Sequence, residues 1–101
     1  MISCLVEYEI DRRREAQFER FCRLWFELTP KFGGVHHGYF LPSDGPSDRA
    51  LALFSFESLA AYENYRVQAS TDEEVLAANR LRDTEAGVIR WDRSFFRPLL
   101  P

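Results

Sequence analysis

From Ile2 to Ile10 the apolar side chains fall on every second residue. Ile2, Cys4, Val6, Tyr8 and Ile10 share one face, and Ser3, Leu5, Glu7 and Glu9 share the other. Period two sustained over such a run predicts a strand. The period then changes. Asp11 is placed to cap a helix start, and Phe18, Phe21, Cys22, Trp25 and Leu28 recur at spacings of three and four as one helical stripe. Glu15, Glu19, Arg20, Arg23 and Glu27 fill much of the opposite side. Pro30, Gly33 and Gly34 predict the end of this helix and a turn. Val35–Leu41 reads as a second strand and Ala50–Phe56 as a third. The polar segment 42–48 between them is a hairpin loop, so these two strands run antiparallel. Ser58 is an N-cap for a helix to about Ala69, and Thr71 with Glu74 has capping-box spacing for a second helix over Asp72–Ala86. Gly87 supplies a left-handed stop. Val88–Phe96 is the fourth strand, followed by a short apolar tail, Leu99 and Leu100, between Pro98 and Pro101.

The order is β-α-β-β-α-β, with the second helical unit in two pieces. It predicts an α+β protein with a ferredoxin-like fold, a four-stranded antiparallel sheet whose right-handed crossovers put both helical units on one face. A chain of 101 residues forms one such domain over 1–101.

An antiparallel sheet with one face in water alternates apolar and polar residues. Several strands here do not. The third puts Leu51 and Leu53 opposite Phe54 and Phe56. The fourth puts Ile89, Trp91 and Phe95 opposite Val88 and Phe96, and the second puts Val35, Tyr39 and Leu41 opposite Phe40. Apolar residues on both faces predict a partner: a homodimer through the sheet face, with the tail as a clasp. The plainer alternative is that some of these side chains lie under loops.

Charge narrows the partners. The net charge is −3 and the isoelectric point about 5.4, against the clustered Lys and Arg that nucleic acid requires. The one basic run, Arg12-Arg13-Arg14, reads as a solvated turn. Cys4 and Cys22, at apolar-patterned positions, fit neither a redox pair nor a zinc knuckle; buried reduced thiols suit the cytoplasm. No signal peptide and no membrane-spanning run is expected.

Candidate chemistry is sparse. No metal site or cofactor is expected: His36 and His37 are adjacent in a strand, point to opposite faces and cannot chelate one ion together. Glycine-rich phosphate motifs and a nucleophile elbow are absent. Glu7 lies on a central strand beside the fourth, where it either lines a pocket with a histidine and handles a proton, or pairs structurally with Arg90 or Arg93. Tyr39, Arg66, Trp91 and Arg93 are the other pocket candidates, since aromatic walls with a few polar groups suit a small, mostly apolar ligand. Tyr62 and Tyr65 are pocket candidates too, but at helical spacing they read more readily as plain core.

Several segments together resemble the NIPSNAP family of dimeric α+β-barrel proteins. They are the opening LVEYEI, the helix FERFCRLWFELTPKFGG, the strand GYF, the run FSFESLAAYENYR with the acidic-capped helix after it, and the closing WDRSFFRPL. The resemblance covers nearly the whole chain and implies a ferredoxin-like protomer that pairs through its sheet. Arg66 matches an arginine that recurs after the second helix's aromatic pair, and Gly38-Tyr39-Phe40 matches the second strand; Arg12-Arg13-Arg14 departs from the usual Pro- or Gly-containing turn. The family has no established common reaction. The mitochondrial and vesicle roles of larger tandem-domain relatives are not carried over to what looks like a short bacterial member. The wider superfamily includes cofactor-independent monooxygenases, haem-degrading enzymes and lactone isomerases with sites between sheet and helices. Three functions follow as expectations: a small-molecule binding dimer, a cofactor-independent enzyme using a histidine or Glu7, and a protein-interaction module.

Overall fold

The computed structural model describes residues 1–101. The alternating N-terminus forms β1 (Ile2–Ile10), whose Cys4, Val6, Tyr8 and Ile10 are buried. Asp11 caps a single 3-10 turn, Arg12–Arg14, by accepting from the Arg13 amide at 3.0 Å. The turn is exposed, and α1 (Glu15–Lys31) follows it directly, running through Pro30 in its last turn. Then come β2 (Val35–Phe40), β3 (Arg49–Phe56), α2 (Leu59–Ala69), α3 (Glu73–Thr84) and β4 (Val88–Phe96). Ser58 caps α2 through the Ala61 amide. The cap of α3 is Asp72 rather than Thr71: its carboxylate accepts from the Glu74 and Val75 amides, and an ionised acceptor at a helix N-terminus outcompetes the neighbouring hydroxyl. Gly87, at φ +71°, closes the helical unit.

The strands form one antiparallel sheet in the order β2-β3-β1-β4, the ferredoxin-like arrangement. One face packs against the helices. Phe18, Phe21 and Cys22 of α1 meet Cys4, Val6, Tyr8, Ile10, Ala50 and Ala52 of the sheet in the main core. Leu28, Ala69, Val75 and Ala78 join the three helices in a smaller cluster beside it. Lys31 fastens the end of α1 to the start of α3, 2.6 Å from Asp72 Oδ2 and 3.0 Å from Glu74 Oε1.

Two bulges correct the strict alternation expected of β2 and β4. In β2 both His37 and Gly38 stand across from Leu53, and Gly38 takes φ +127°, a backbone region that disfavours side chains. His36 and Tyr39 therefore share the helix face, while Val35 lies on the opposite one with Phe40. In β4 the register slips at Ile89, so Val88 joins Trp91 and Phe95 on the helix face instead of opposing them. Unbroken period two cannot reveal an extra residue that resets the parity.

No layer of this chain covers the other sheet face. It carries Leu5, Leu51 and Leu53 with Val35, Phe40 and Phe96, the last three exposed at 56 %, 54 % and 52 %. The opposite end of the same face is charged, with Glu9 paired to Arg90 at 2.8 Å. Among the apolar residues runs a polar chain: His37 Nε2 lies 2.7 Å from Ser55 Oγ, itself 2.7 Å from Ser3 Oγ.

Candidate functional site

Between sheet and helices lies a cavity of about 420 Å³, within the roughly 300–1,000 Å³ typical of ligand pockets. Register explains its shape. On the helix face one cross-strand row reads Arg93, Val6, Ala52 and Tyr39; the rows beside it contain Trp91, Tyr8 and Ala50, and Phe95, Cys4, Phe54 and His36. In the central row the small Val6 and Ala52 lie between the larger Arg93 and Tyr39, and Tyr8 and Phe54 stand in the rows on either side of them. The roof comes from Phe21, Trp25 and Thr29 of α1, Tyr65, Arg66 and Ala69 of α2, and Val75, Asn79 and Arg82 of α3.

Five of the seven candidate residues come together here: His36, Tyr39, Arg66, Trp91 and Arg93. The other two do not. Glu7 and His37 are on the opposite face of the sheet, Glu7 in register with Asp92 and Leu51, and His37 on Ser55. Glu7 forms no ion pair: Arg90 takes Glu9, and Arg93 projects from the other face. A single-residue difference in parity separates each of them from the cavity.

His36 is packed among rings, stacked on Tyr39 at 4.8 Å between centroids and met edge-on by Phe26 at 5.1 Å. Its Nδ1 accepts from the Gly38 amide at 3.0 Å, so the neutral ring carries its proton on Nε2. Burial, helped by the adjacent His37, lowers its pKa to about 4. At neutral pH His36 is thus a hydrogen-bond donor with its one lone pair already occupied, a poor general base. Other wall groups are held in their protonated forms. Burial raises Tyr8 and Tyr39 strongly and Tyr65 to about 12, and pushes the Cys4 thiol beneath the floor to about 11 against the pull of Arg93.

The lowered His36 pKa has a consequence for stability. As pH falls through about 6.5 the unfolded chain takes a proton on this ring, whereas the folded chain resists until about 4. The contribution is therefore complete above 6.5 and is lost on acidification across that window, by about 1–2 kcal/mol once solvent screening of a ring only partly enclosed is allowed for. Urea midpoints at pH 4.5 and 7 should diverge in the native protein and converge by that amount in His36→Phe, which keeps the ring and removes the titration.

Tyr65, also expected as a pocket or core residue, lines the cavity, and so do Tyr8, Trp25, Asn79 and Arg82, which periodicity alone does not single out. A signal existed. Tyr62, Tyr65, Arg66 and Ala69 share one stripe of α2, and Val75, Asn79 and Arg82 one stripe of α3, so polar residues interrupt the buried side of each helix. Arg82 lies with its guanidinium carbon 4.4 Å from the Trp91 ring centroid, bonded to Asp83 and Asn79. No cluster of His, Cys and acidic side chains suited to a metal ion exists. No helix is long and apolar enough to cross a membrane.

This sheet order, with helices on one face and a cavity beneath them, defines a ferredoxin-like α+β protein. The NIPSNAP family model matches residues 4–100, and the chain belongs to that family. Among solved structures it is similar to a NIPSNAP family protein with unknown function from Agrobacterium tumefaciens (TM-score 0.82, 16 % identity, 97 % of this chain and 87 % of that one). A NIPSNAP-like domain protein from Burkholderia xenovorans is also similar (0.80, 18 %, 97 % and 84 %). So is a candidate antibiotic biosynthesis monooxygenase from Nitrosomonas europaea (0.73, 11 %, 99 % and 100 %). At these identities the likeness is one of fold. No curated protein matches in sequence.

Proposed function

We propose that the protein binds a small, mostly apolar molecule in the cavity between sheet and helices, as a homodimer built through the open sheet face. The observation that carries the binding reading is the chemistry of the wall. It is aromatic, it includes no carboxylate, and its histidine has no lone pair free to accept a proton. Proton-transfer catalysis needs a group that can take the proton near neutral pH. Neither Glu7 nor His37, the expected alternatives, reaches this space. The dimer reading rests on the half-exposed Val35, Phe40 and Phe96 around the three leucines of the open face. The function is therefore recognition in preference to turnover, with the cytoplasm as its expected setting.

The test is a thermal-shift screen of apolar and aromatic metabolites. A ligand at about 100 times its Kd stabilises the folded state by about 2.7 kcal/mol, an easily measured rise in Tm. Ala52→Leu extends into the floor of the cavity and should abolish each hit while the protein stays folded. Hits that survive in Ala52→Leu place binding elsewhere and defeat the proposal. Conversion of a hit to product replaces the binding reading with the enzymatic one.

A further inference from the structure

The cavity's charge is one-sided. Three arginines reach its lining, Arg66, Arg82 and Arg93, and no aspartate or glutamate does. Arg82 is already offset, its Nε 3.0 Å from Asp83 Oδ1. Arg66 and Arg93 take part in none of the chain's ion pairs. They come from opposite layers, α2 and β4, and one ring contact ties those layers together: Tyr62 meets Phe95 edge-on at 4.9 Å between centroids. Arg66 is one helical turn beyond Tyr62, and Arg93 is two residues from Phe95 on the same strand face. Arg66 and Arg93 thus come from the two elements that this contact joins, and both line the cavity.

Arg66 is also held in place. Its Nη1 donates to the Tyr62 hydroxyl at 3.1 Å, and its guanidinium carbon stands 6.0 Å from that ring's centroid. That bond uses one of five N–H donors and leaves the rest of the fork for another acceptor. The two charges act on the same neighbours: Arg93 and Arg66 both pull down the Cys4 thiol and the Tyr65 phenol, against the larger effect of burial. Two guanidiniums of like sign, one of them fixed, beside an apolar space without acids, form a site whose missing component is an anion.

We infer that Arg66 and Arg93 clamp the head group of an amphipathic acid, whose apolar body lies among the aromatic walls and whose single carboxylate or phosphate ester sits at the rim. This rests on the cavity being the binding site and specifies what enters it. Trp91 and Trp25, the chain's two tryptophans, both line the cavity, so their fluorescence reports occupancy directly.

The experiment titrates three probes with a common body, 4-phenylbutanol, 4-phenylbutyrate and 4-phenylbutyl phosphate, following tryptophan emission at pH 7.5. At least one anion should bind about 10–100-fold tighter than the alcohol, the range for hydrogen bonds to charged groups. The tighter of the two anions identifies the head group. Arg66→Gln and Arg93→Gln should each remove most of that preference, weakening the anions far more than the alcohol, whose retained binding shows that the cavity still forms. Arg23→Gln, on α1 outside the cavity, should keep the preference. Equal affinity for all three probes overturns the clamp and leaves the cavity reading standing. An anion preference that persists in both arginine variants also overturns the clamp. Failure of all three to bind at millimolar concentration overturns the clamp and the cavity reading together.

Discussion

Leu5→Asp should convert the proposed dimer, of twice the 11.9 kDa chain mass, into a folded monomer at micromolar concentration. Leu5 lies on an inner strand of the open face, between Leu53 of β3 and Ser94 of β4, with Ser3 and Glu7 as its next same-face neighbours along β1. None of these is a cation. A carboxylate buried there against a second sheet would be unpaired and would repel Glu7. Breaking or omitting the partner of a buried charge costs about 3–5 kcal/mol. That is roughly a thousandfold in Kd, since each 1.4 kcal/mol is a factor of ten. The side chain points away from the helices, so the core of Cys4, Val6 and Tyr8 is untouched and far-UV circular dichroism should not change. Sedimentation equilibrium decides the matter. Native protein that sediments as a monomer at high concentration removes the proposed interface, and a Leu5→Asp variant that still dimerises relocates it.

Phe18→Ala should be the most damaging truncation in the chain. Phe18 is fully buried at 0 % exposure, edge-on to Tyr8 at 5.3 Å and to Tyr39 at 6.2 Å, and 6.1 Å from Phe21. Removing a buried phenylalanine costs about 3–5 kcal/mol, because lost transfer energy adds to the cavity left behind. Domains of this size are stable by only about 5–15 kcal/mol, so a large part of the population unfolds in mild denaturant. Urea denaturation at fixed protein concentration should show the midpoint falling with an unchanged slope. A loss below about 1 kcal/mol would mean that Tyr8 and Tyr39 close over the void, a relaxation at odds with dense packing. The same variant should loosen the cavity, since those tyrosines form part of its wall.

The elements were legible because each announces its own period. Ile2–Ile10 alternates from end to end, Val88–Phe96 is a run rich in β-branched and aromatic residues between Gly87 and Pro98, and the stripe from Phe18 to Leu28 has no competing pattern. Gly87 and Ser58 mark boundaries through backbone conformation and capping. The site was legible only in part. His36, Tyr39, Arg66, Trp91 and Arg93 stood out as aromatic or charged residues on predicted elements, but their meeting depends on which strands are neighbours and in what register. Arg82 and Asn79 carry no such signal, because a polar residue on a helix reads as solvated until the stripe it interrupts is known to face the sheet. Glu7 and His37 had suitable chemistry on the wrong face.

The kink at Gly38 separates two duties of an edge strand. Before it, β2 presents Val35 to the open face and His36 to the interior; after it, Tyr39 faces in and Phe40 out, although strict alternation would reverse the later pair. Deleting one residue at that point would heal the bulge and leave Tyr39 across from Ala52, facing in as before. A substitution that forced Gly38 out of φ +127° into regular extended backbone would instead turn Tyr39 out of the pocket and Phe40 into it, with no helix moved. The make-up of the pocket wall is thus set by the backbone freedom of one glycine that never touches its contents.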